Sequence, residues 1–218
     1  MRKKQQRFAD NRVSRNVIEP GKDLFEAIKG KWHEFFGNEN KIVVELACGR
    51  GEYSTGLGAI YGDKNFIGVD LKGNRIWVGS KKARLEGLDN VAFLRTQIDH
   101  LEKFFDQGEI HEIWIIFPDP RPKDSDEHRR LTSAKYLDIY KNLIKPGGVI
   151  HFKTDNTGLF DYTLEILESR KDIQGLEYTW ELYNSKYETD HHDIRTKYEH
   201  QFSKQGHEIK YLRFKFTD

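Results

Sequence analysis

The sequence predicts an α/β fold: a doubly wound, mostly parallel seven-stranded sheet with an antiparallel C-terminal edge strand. Short β-branched and aromatic runs alternate with stretches of helical apolar spacing through about residue 168, the pattern of strand–helix units in a parallel sheet. The first such run, Ile42-Val43-Val44-Glu45-Leu46, passes directly into Gly49-Arg50-Gly51. It has the continuous apolar character of a strand covered on both faces, followed by a turn that brings backbone close to a ligand. After residue 170 the character changes. Residues 178–183 and 209–216 alternate in polarity without a clear helix between them, which suits an antiparallel pair.

In chain order, residues 1–19 lack apolar periodicity and read as a flexible basic arm ahead of a single domain over 20–218. Leu24, Phe25, Ile28, Trp32 and Phe35 recur at helical spacing, predicting one amphipathic helix over 22–36 that Gly37-Asn38 ends. The strand at 41–47 and a short helix over 52–60 flank the glycine turn. A second buried strand, 65–70, ends in Asp70. The helix after it carries Ile76, Trp77, Ala83, Leu85 and Leu88. Residues 91–94 form a third strand, and Leu101, Phe104 and Phe105 mark a short helix. The fourth and most apolar strand, 112–117, ends at Pro118-Asp119-Pro120-Arg121-Pro122, whose prolines forbid regular structure. A helix over 129–144, a stop at Lys145-Pro146-Gly147-Gly148, a fifth strand over 149–153 and a helix to about 168 complete the alternation. The architecture is Rossmann-like, with ligands expected at the carboxyl ends of the strands.

Composition bounds the function. The chain has 218 residues, 33% of them charged and 37% hydrophobic, and no apolar run long enough for a membrane span or a signal peptide. Its single cysteine, Cys48, suits a reducing cytoplasm. Net charge is only +1, but the ends are basic. Arg2, Lys3, Lys4, Arg7, Arg12 and Arg15 face Asp10 alone, and Arg195, Lys197, Lys204, Lys210, Arg213 and Lys215 face Glu199 and Glu208. Two basic ends around a more acidic middle could form a footprint for nucleic acid; on charge alone, a solvated tail and ordinary surface lysines are the preferred explanation.

Two constellations carry chemistry. The first is the glycine turn with Asp70 about 20 residues on, the spacing at which a carboxylate reaches a ribose hydroxyl pair. A dinucleotide fold prefers glycine at position 54, where this chain has Ser54, and does not place an acid four residues before the first glycine, as Glu45 is. Glu45-x-Ala47-x-Gly49-x-Gly51 is instead similar to the S-adenosylmethionine loop of class I methyltransferases, and its carboxylate suits a ligand carrying ammonium and sulfonium charge. The second is Phe117-Pro118-Asp119-Pro120-Arg121-Pro122-Lys123. The prolines hold Asp119 at a strand terminus with little freedom, which favours a positioned functional group. Cys48 has no assignable base partner. His191-His192-Asp193 lies in a polar stretch and reads as solvated loop, and the four tryptophans read as core.

Ile116-Phe117-Pro118-Asp119-Pro120-x-Pro122-Lys123, then Arg129-Arg130-Leu131, Lys153-Thr154-Asp155 and Thr196-Lys197-Tyr198-Glu199, resemble the tRNA (guanine-N7-)-methyltransferase family in order and spacing. The resemblance covers about residues 42–199. It implies methyl transfer from S-adenosylmethionine, leaving S-adenosylhomocysteine, to N7 of a guanine in the tRNA variable loop, in the cytoplasm and without a metal. Carried over by position, it implies cofactor binding by Glu45, Gly49, Gly51, Asp70, Gln97 and Asp119, and catalysis by Asp119. It implies substrate binding by Lys123, Asp155, Thr196, Lys197, Tyr198 and Glu199. Two positions depart from the family. Gln97 stands where many members carry an acid that contacts adenine, with Asp99 as a neighbouring competitor, and Arg121 stands where Trp is usual. The loop after Lys123, Asp124-Ser125-Asp126-Glu127, is acidic where the family is basic, so it opposes phosphate docking unless the basic ends compensate. The competing readings are a class I methyltransferase for another substrate and a non-catalytic RNA-binding protein with a degenerate cofactor site.

Overall fold

Val43 and Val44 pair in parallel with Phe66 and Ile67 on one side and with Glu112 and Ile113 on the other. The strand that runs into the glycine turn is therefore the centre of the sheet. The computed structural model describes residues 3–203 and 206–217; Arg2 and Lys204 of the basic ends lie outside them. Along the chain run α1 (Lys3–Val13), β1 (Val17–Ile18), α2 (Asp23–Ala27), α3 (Trp32–Phe36), β2 (Lys41–Leu46), α4 (Glu52–Ile60), β3 (Lys64–Val69) and α5 (Gly73–Leu85). There follow β4 (Val91–Leu94), β5 (Ile110–Ile116), α6 (Ala134–Leu143), β6 (Ile144–Thr154), α7 (Thr157–Ser169), β7 (Ile173–Thr179), α8 (Lys197–Ser203) and β8 (Lys210–Phe216). The order across the sheet is β1-β4-β3-β2-β5-β6-β8-β7. Only β8 runs against its neighbours, antiparallel to both β6 and β7.

Alternation along β2 divides the core into two layers. Ile42, Val44 and Leu46 join Trp32, Leu137, Tyr140, Phe160 and Leu167 under α3, α6 and α7. Val43 joins Tyr53, Leu57, Ile76 and Ala83 under α4 and α5, with Leu182 and Tyr187 from the loop before α8. Both faces are covered, which is why the inner strands read as unbroken apolar runs rather than alternating ones.

Six of the seven expected strands are present where expected; the one expected over 178–183 lies earlier, as β7, and residues 182–184 form a 3-10 turn instead. An eighth strand, the two-residue β1, pairs with β4 at the far edge. The stretch expected as an arm is structured over its described part. Helix α1 docks on α5, with Asn11 donating to the Gly73 carbonyl at 2.8 Å and the Trp77 indole donating to Asp10 at 2.8 Å. These are polar anchors, which an apolar-period search does not register. The single helix expected over 22–36 is broken into α2 and α3, because Gly30 adopts a left-handed φ of 70°. The Lys145–Gly148 stop lies within β6, where the pairing with β5 shifts register. Trp180 is 38% exposed rather than core, and its ring packs edge-on against Phe160. His191 is buried, not solvated, and its Nδ1 lies 2.6 Å from the Tyr53 hydroxyl.

Candidate active site

Two adjoining cavities open at the carboxyl ends of β2, β3, β4 and β5, and Ala47, Arg75 and Phe117 line both. One is bounded by Glu45, Gly49, Arg50, Arg7 and the start of α8; the other by Asp70, Gln97, Asp99, Asp119 and Arg121. A larger cavity of about 850 Å³ lies toward the amino ends of the strands. Its charged groups already pair with one another, Lys64 with Glu112 and Arg213 with Glu177 and Asp190. The carboxyl-end cleft is the better site, because that is where the topology of an open α/β sheet leaves its crevice.

The glycine turn forms the floor. Ala47, Gly49 and Gly51 all have positive φ, 52°, 56° and 67°. At Gly51 a Cβ would meet the Phe93 ring at 2.4 Å, whereas at Gly49 it would meet only the Ala47 carbonyl, at 4.0 Å. Gly51 is thus required by packing, and Gly49 leaves room on the cleft side. Asp70 braces the turn: one carboxylate oxygen accepts the Gly49 N–H at 2.9 Å and the other the Lys72 N–H at 2.7 Å. Glu45 is buried beneath the turn and accepts the Ser54 N–H at 2.7 Å and the Ser54 hydroxyl at 2.5 Å. Burial pushes its carboxyl up to about 8, against those hydrogen bonds. A buried acid of this kind becomes an anion when a cation settles beside it. The donor set, the turn and the room at Gly49 fit S-adenosylmethionine.

Asp119 stands on the rim, exposed, with its carboxylate 3.3 Å from the Arg121 guanidinium. Phe117 and Arg121 hold left-handed backbone, φ 48° and 46°, a cost that non-glycine residues bear where the surroundings impose it. Gln97 is exposed in the same cavity. Asp99 is tied to the Lys135 ammonium and to the Tyr136 hydroxyl, which donates at 2.8 Å. Of these two neighbours, Gln97 has the uncommitted side chain.

Across the cleft, Thr196 and Glu199 cap α8 reciprocally: Thr196 Oγ1 accepts the Glu199 N–H at 3.0 Å and Glu199 Oε2 accepts the Thr196 N–H at 3.3 Å. This is a capping box, and the Thr-x-x-Glu spacing was its legible signal. Lys197 and Tyr198 project from the capped turn to line the first cavity, and the Tyr198 hydroxyl donates to Asp155 at 3.3 Å. Glu199 itself is fully buried against Lys153. Burial pulls the Lys153 ammonium down to about 8, opposed by the Glu199 carboxylate. Lys123 lies outside both cavities, exposed at the start of the acidic loop. Two acids of that loop are engaged: Asp126 pairs with Arg129 at 3.1 Å, and Glu127 accepts the Tyr162 hydroxyl at 2.9 Å. No signal in the sequence assigns a site role to Arg75, which lines both cavities, or to Ser54 and Lys153, which stand behind the site and hold Glu45 and Glu199. Among the described residues no group of three or more His, Cys, Asp or Glu is placed to hold a metal ion, and no helix is long and apolar enough to cross a membrane.

The sheet order and this cleft define a methyltransferase of the Rossmann-like class. The family model described as "Putative methyltransferase" matches residues 39–212. A tRNA (guanine-N(7)-)-methyltransferase of Cytophaga hutchinsonii is 45% identical over 99% of this chain and 98% of its own length. Relatives of the same name from Christiangramia forsetii and Streptococcus thermophilus are 44% and 37% identical, over 97% and 93% of the chain and 97% and 91% of their own lengths. Among solved structures, the 16S rRNA methyltransferase KamB superposes with a TM-score of 0.64 at 12% identity, covering 87% of this chain and 94% of that one. An antibiotic-related methyltransferase superposes with a TM-score of 0.62 at 18% identity, over 85% and 92%. The chain belongs to the tRNA (guanine-N(7)-)-methyltransferase family.

Proposed function

We propose that this protein transfers a methyl group from S-adenosylmethionine to N7 of a guanine in the variable loop of tRNA, by direct in-line displacement in the cytoplasm. One observation carries the reading: Glu45 and Tyr198 line one cavity and Asp70 and Asp119 the adjoining one, the two share the walls Ala47, Arg75 and Phe117, and Asp155 is tied to them through the Tyr198 hydroxyl.

When bound, the donor supplies a methyl group on a sulfonium sulfur, whose leaving group is a neutral thioether. Guanine N7 carries a lone pair and no proton at neutral pH, so the acceptor needs no strong base and the transfer needs no Lewis acid. The chain's task is positioning and electrostatic support. Glu45 faces the donor's positive charge. Asp70 holds the turn against Gly49 and borders the ribose, and Gln97 meets the adenine edge. Asp119 and Asp155 accept hydrogen bonds from the guanine N1–H and N2–H, a donor pattern that adenine lacks. Tyr198 steadies Asp155, and Lys123, Lys197 and the basic rim meet phosphates. Thr196 and Glu199 fix the helix that presents Lys197 and Tyr198.

The test is Asp119→Ala. We expect S-adenosylmethionine binding by calorimetry to stay within a fewfold of wild type and methyl transfer to fall by about 100-fold or more, the scale of a positioned polar group in a transition state. Transfer at the wild-type rate would remove Asp119 from the mechanism. The alternative of a non-catalytic RNA-binding protein is the weaker reading: Ala47 and Gln97 both line the site, and in the acidic loop Asp126 is paired with Arg129 and Glu127 accepts the Tyr162 hydroxyl.

A further inference from the structure

Lys153 has no exposed surface, and nor does its partner Glu199; their charged atoms lie 2.7 Å apart. A lysine at that depth is unfavourable unless its ammonium is fully engaged, and an apolar side chain of the same volume would fill the space at no such cost. The ammonium is engaged on three sides. It bonds Glu199, donates to the Tyr53 hydroxyl at 3.0 Å and donates to the Tyr183 hydroxyl at 3.1 Å. Tyr183 in turn donates to the same Glu199 oxygen. The rings of Tyr53, Phe117 and Tyr183 surround the ammonium, with centroids 5.5, 5.6 and 5.3 Å away.

What each contact leads to is more informative than the pair itself. Tyr53 precedes Ser54, which holds Glu45. Phe117 begins the Asp119 loop and sits 5.4 Å from the Tyr198 ring. Glu199 closes the capping box that starts α8, whose first amide, on Lys197, also reaches Glu52 at the start of α4. Lys153 itself is two residues before Asp155. One buried cation therefore touches the donor side, the Asp119 loop and the helix on the acceptor side.

We infer that Lys153 is a positioning residue for the tRNA: it fixes the Glu199 carboxylate, and through it the register in which α8 presents Lys197 and Tyr198 to the cleft. Lys153 touches no reacting atom, and its removal acts on how the acceptor is held rather than on how the donor binds. This rests on the proposed function for what the cleft receives, but the mechanical link between Lys153 and α8 does not.

The experiment compares wild type, Lys153→Met and Tyr183→Phe in three readouts: amide hydrogen exchange across 197–203, calorimetry with S-adenosylmethionine, and kcat and KM with unmodified tRNA. For Lys153→Met we expect exchange in α8 and KM for tRNA each to rise by about tenfold or more, with donor affinity within about threefold. Tyr183→Phe, which removes one hydroxyl and keeps the ring, should move the same two quantities by about threefold, and it decides the matter if Lys153→Met does not fold. A folded variant with wild-type exchange in α8 and wild-type KM overturns the inference, and so does a loss confined to donor binding. If wild type itself fails to methylate tRNA, the proposed function falls, and the exchange readout still judges whether Lys153 holds α8.

Discussion

Ser54 gives both its backbone N–H and its hydroxyl to a single oxygen of Glu45, at 2.7 and 2.5 Å. Position 54 is where a dinucleotide-binding turn would carry glycine, and here its side chain is what holds the cleft's buried acid. The bond lies in the first turn of α4, where an anion is also favoured by the helix N-terminus. The arrangement aims a carboxylate at a cationic ligand rather than opening room for a pyrophosphate.

Binding of the donor should therefore release a proton. Burial holds the Glu45 carboxyl up to about 8, so near pH 7 it is largely protonated until a cation arrives and lowers it. Calorimetry at pH 7 in buffers of different ionisation enthalpy should show release approaching one proton in wild type and none in Glu45→Gln. Equal release in both would remove Glu45 as the linked group.

The same shift has a stability consequence. The unfolded chain loses this proton near 4.5 and the folded protein near 8, so between those values the folded state binds more protons and stability falls as pH rises. Glu45→Gln carries no such proton. The difference in melting temperature, variant minus wild type, should grow from about pH 5 to pH 8 and then level off; a flat difference would contradict the assignment.

Asp70→Ala removes the acceptor of both the Gly49 and Lys72 amides. Hydrogen bonds to a charged group contribute about 1.5–3 kcal/mol each, so the variant should lose roughly 2 kcal/mol or more of stability and bind S-adenosylmethionine about tenfold more weakly. Urea unfolding and calorimetry check the two parts separately.

Gly51→Ala tests packing rather than ligand contact. A Cβ there meets the Phe93 ring at 2.4 Å on a backbone with φ 67°, so overpacking and strain should together cost about 2–4 kcal/mol in a denaturation experiment. At Gly49 the protein leaves space, and Gly49→Ala should instead weaken donor binding more than it lowers stability.

Arg75 lines both cavities and lies on the rim with Arg7, Arg50 and Lys197. If this rim meets tRNA phosphates, Arg75→Ala should reduce the slope of log affinity against log salt by roughly 0.7–0.9, the value for one phosphate contact, without altering which base is methylated. An unchanged slope would place the tRNA elsewhere.

The inner parallel strands and the cleft at their carboxyl ends were legible in the sequence because a parallel sheet covered on both faces leaves long apolar runs and glycine turns in predictable places. Asp70 and Asp119 could be placed at strand ends for the same reason. Polar anchoring left no comparable trace. Helix α1 docks through Asn11 and Asp10, and Lys153, though part of the Lys153-Thr154-Asp155 motif, has no role assigned by the sequence until the fold encloses it with Glu199. The Thr196–Glu199 motif was recognised by resemblance as substrate contacts, while its spacing also spelled a capping box. The structure shows that cap directly, with Thr196, Lys197 and Tyr198 lining the cleft and Glu199 buried behind them. Gln97 and Asp99 were indistinguishable in sequence, and only the Lys135 and Tyr136 partners of Asp99 separate them.

The most direct measurement incubates the protein with methyl-labelled S-adenosylmethionine and unmodified tRNA, digests the RNA to nucleosides and locates the label. The account predicts 7-methylguanosine from the variable loop, and little label on tRNA in which that guanine is replaced by adenine. Label on another base, on another atom of guanine or at another site in the tRNA would contradict it, as would donor binding with no transfer at all.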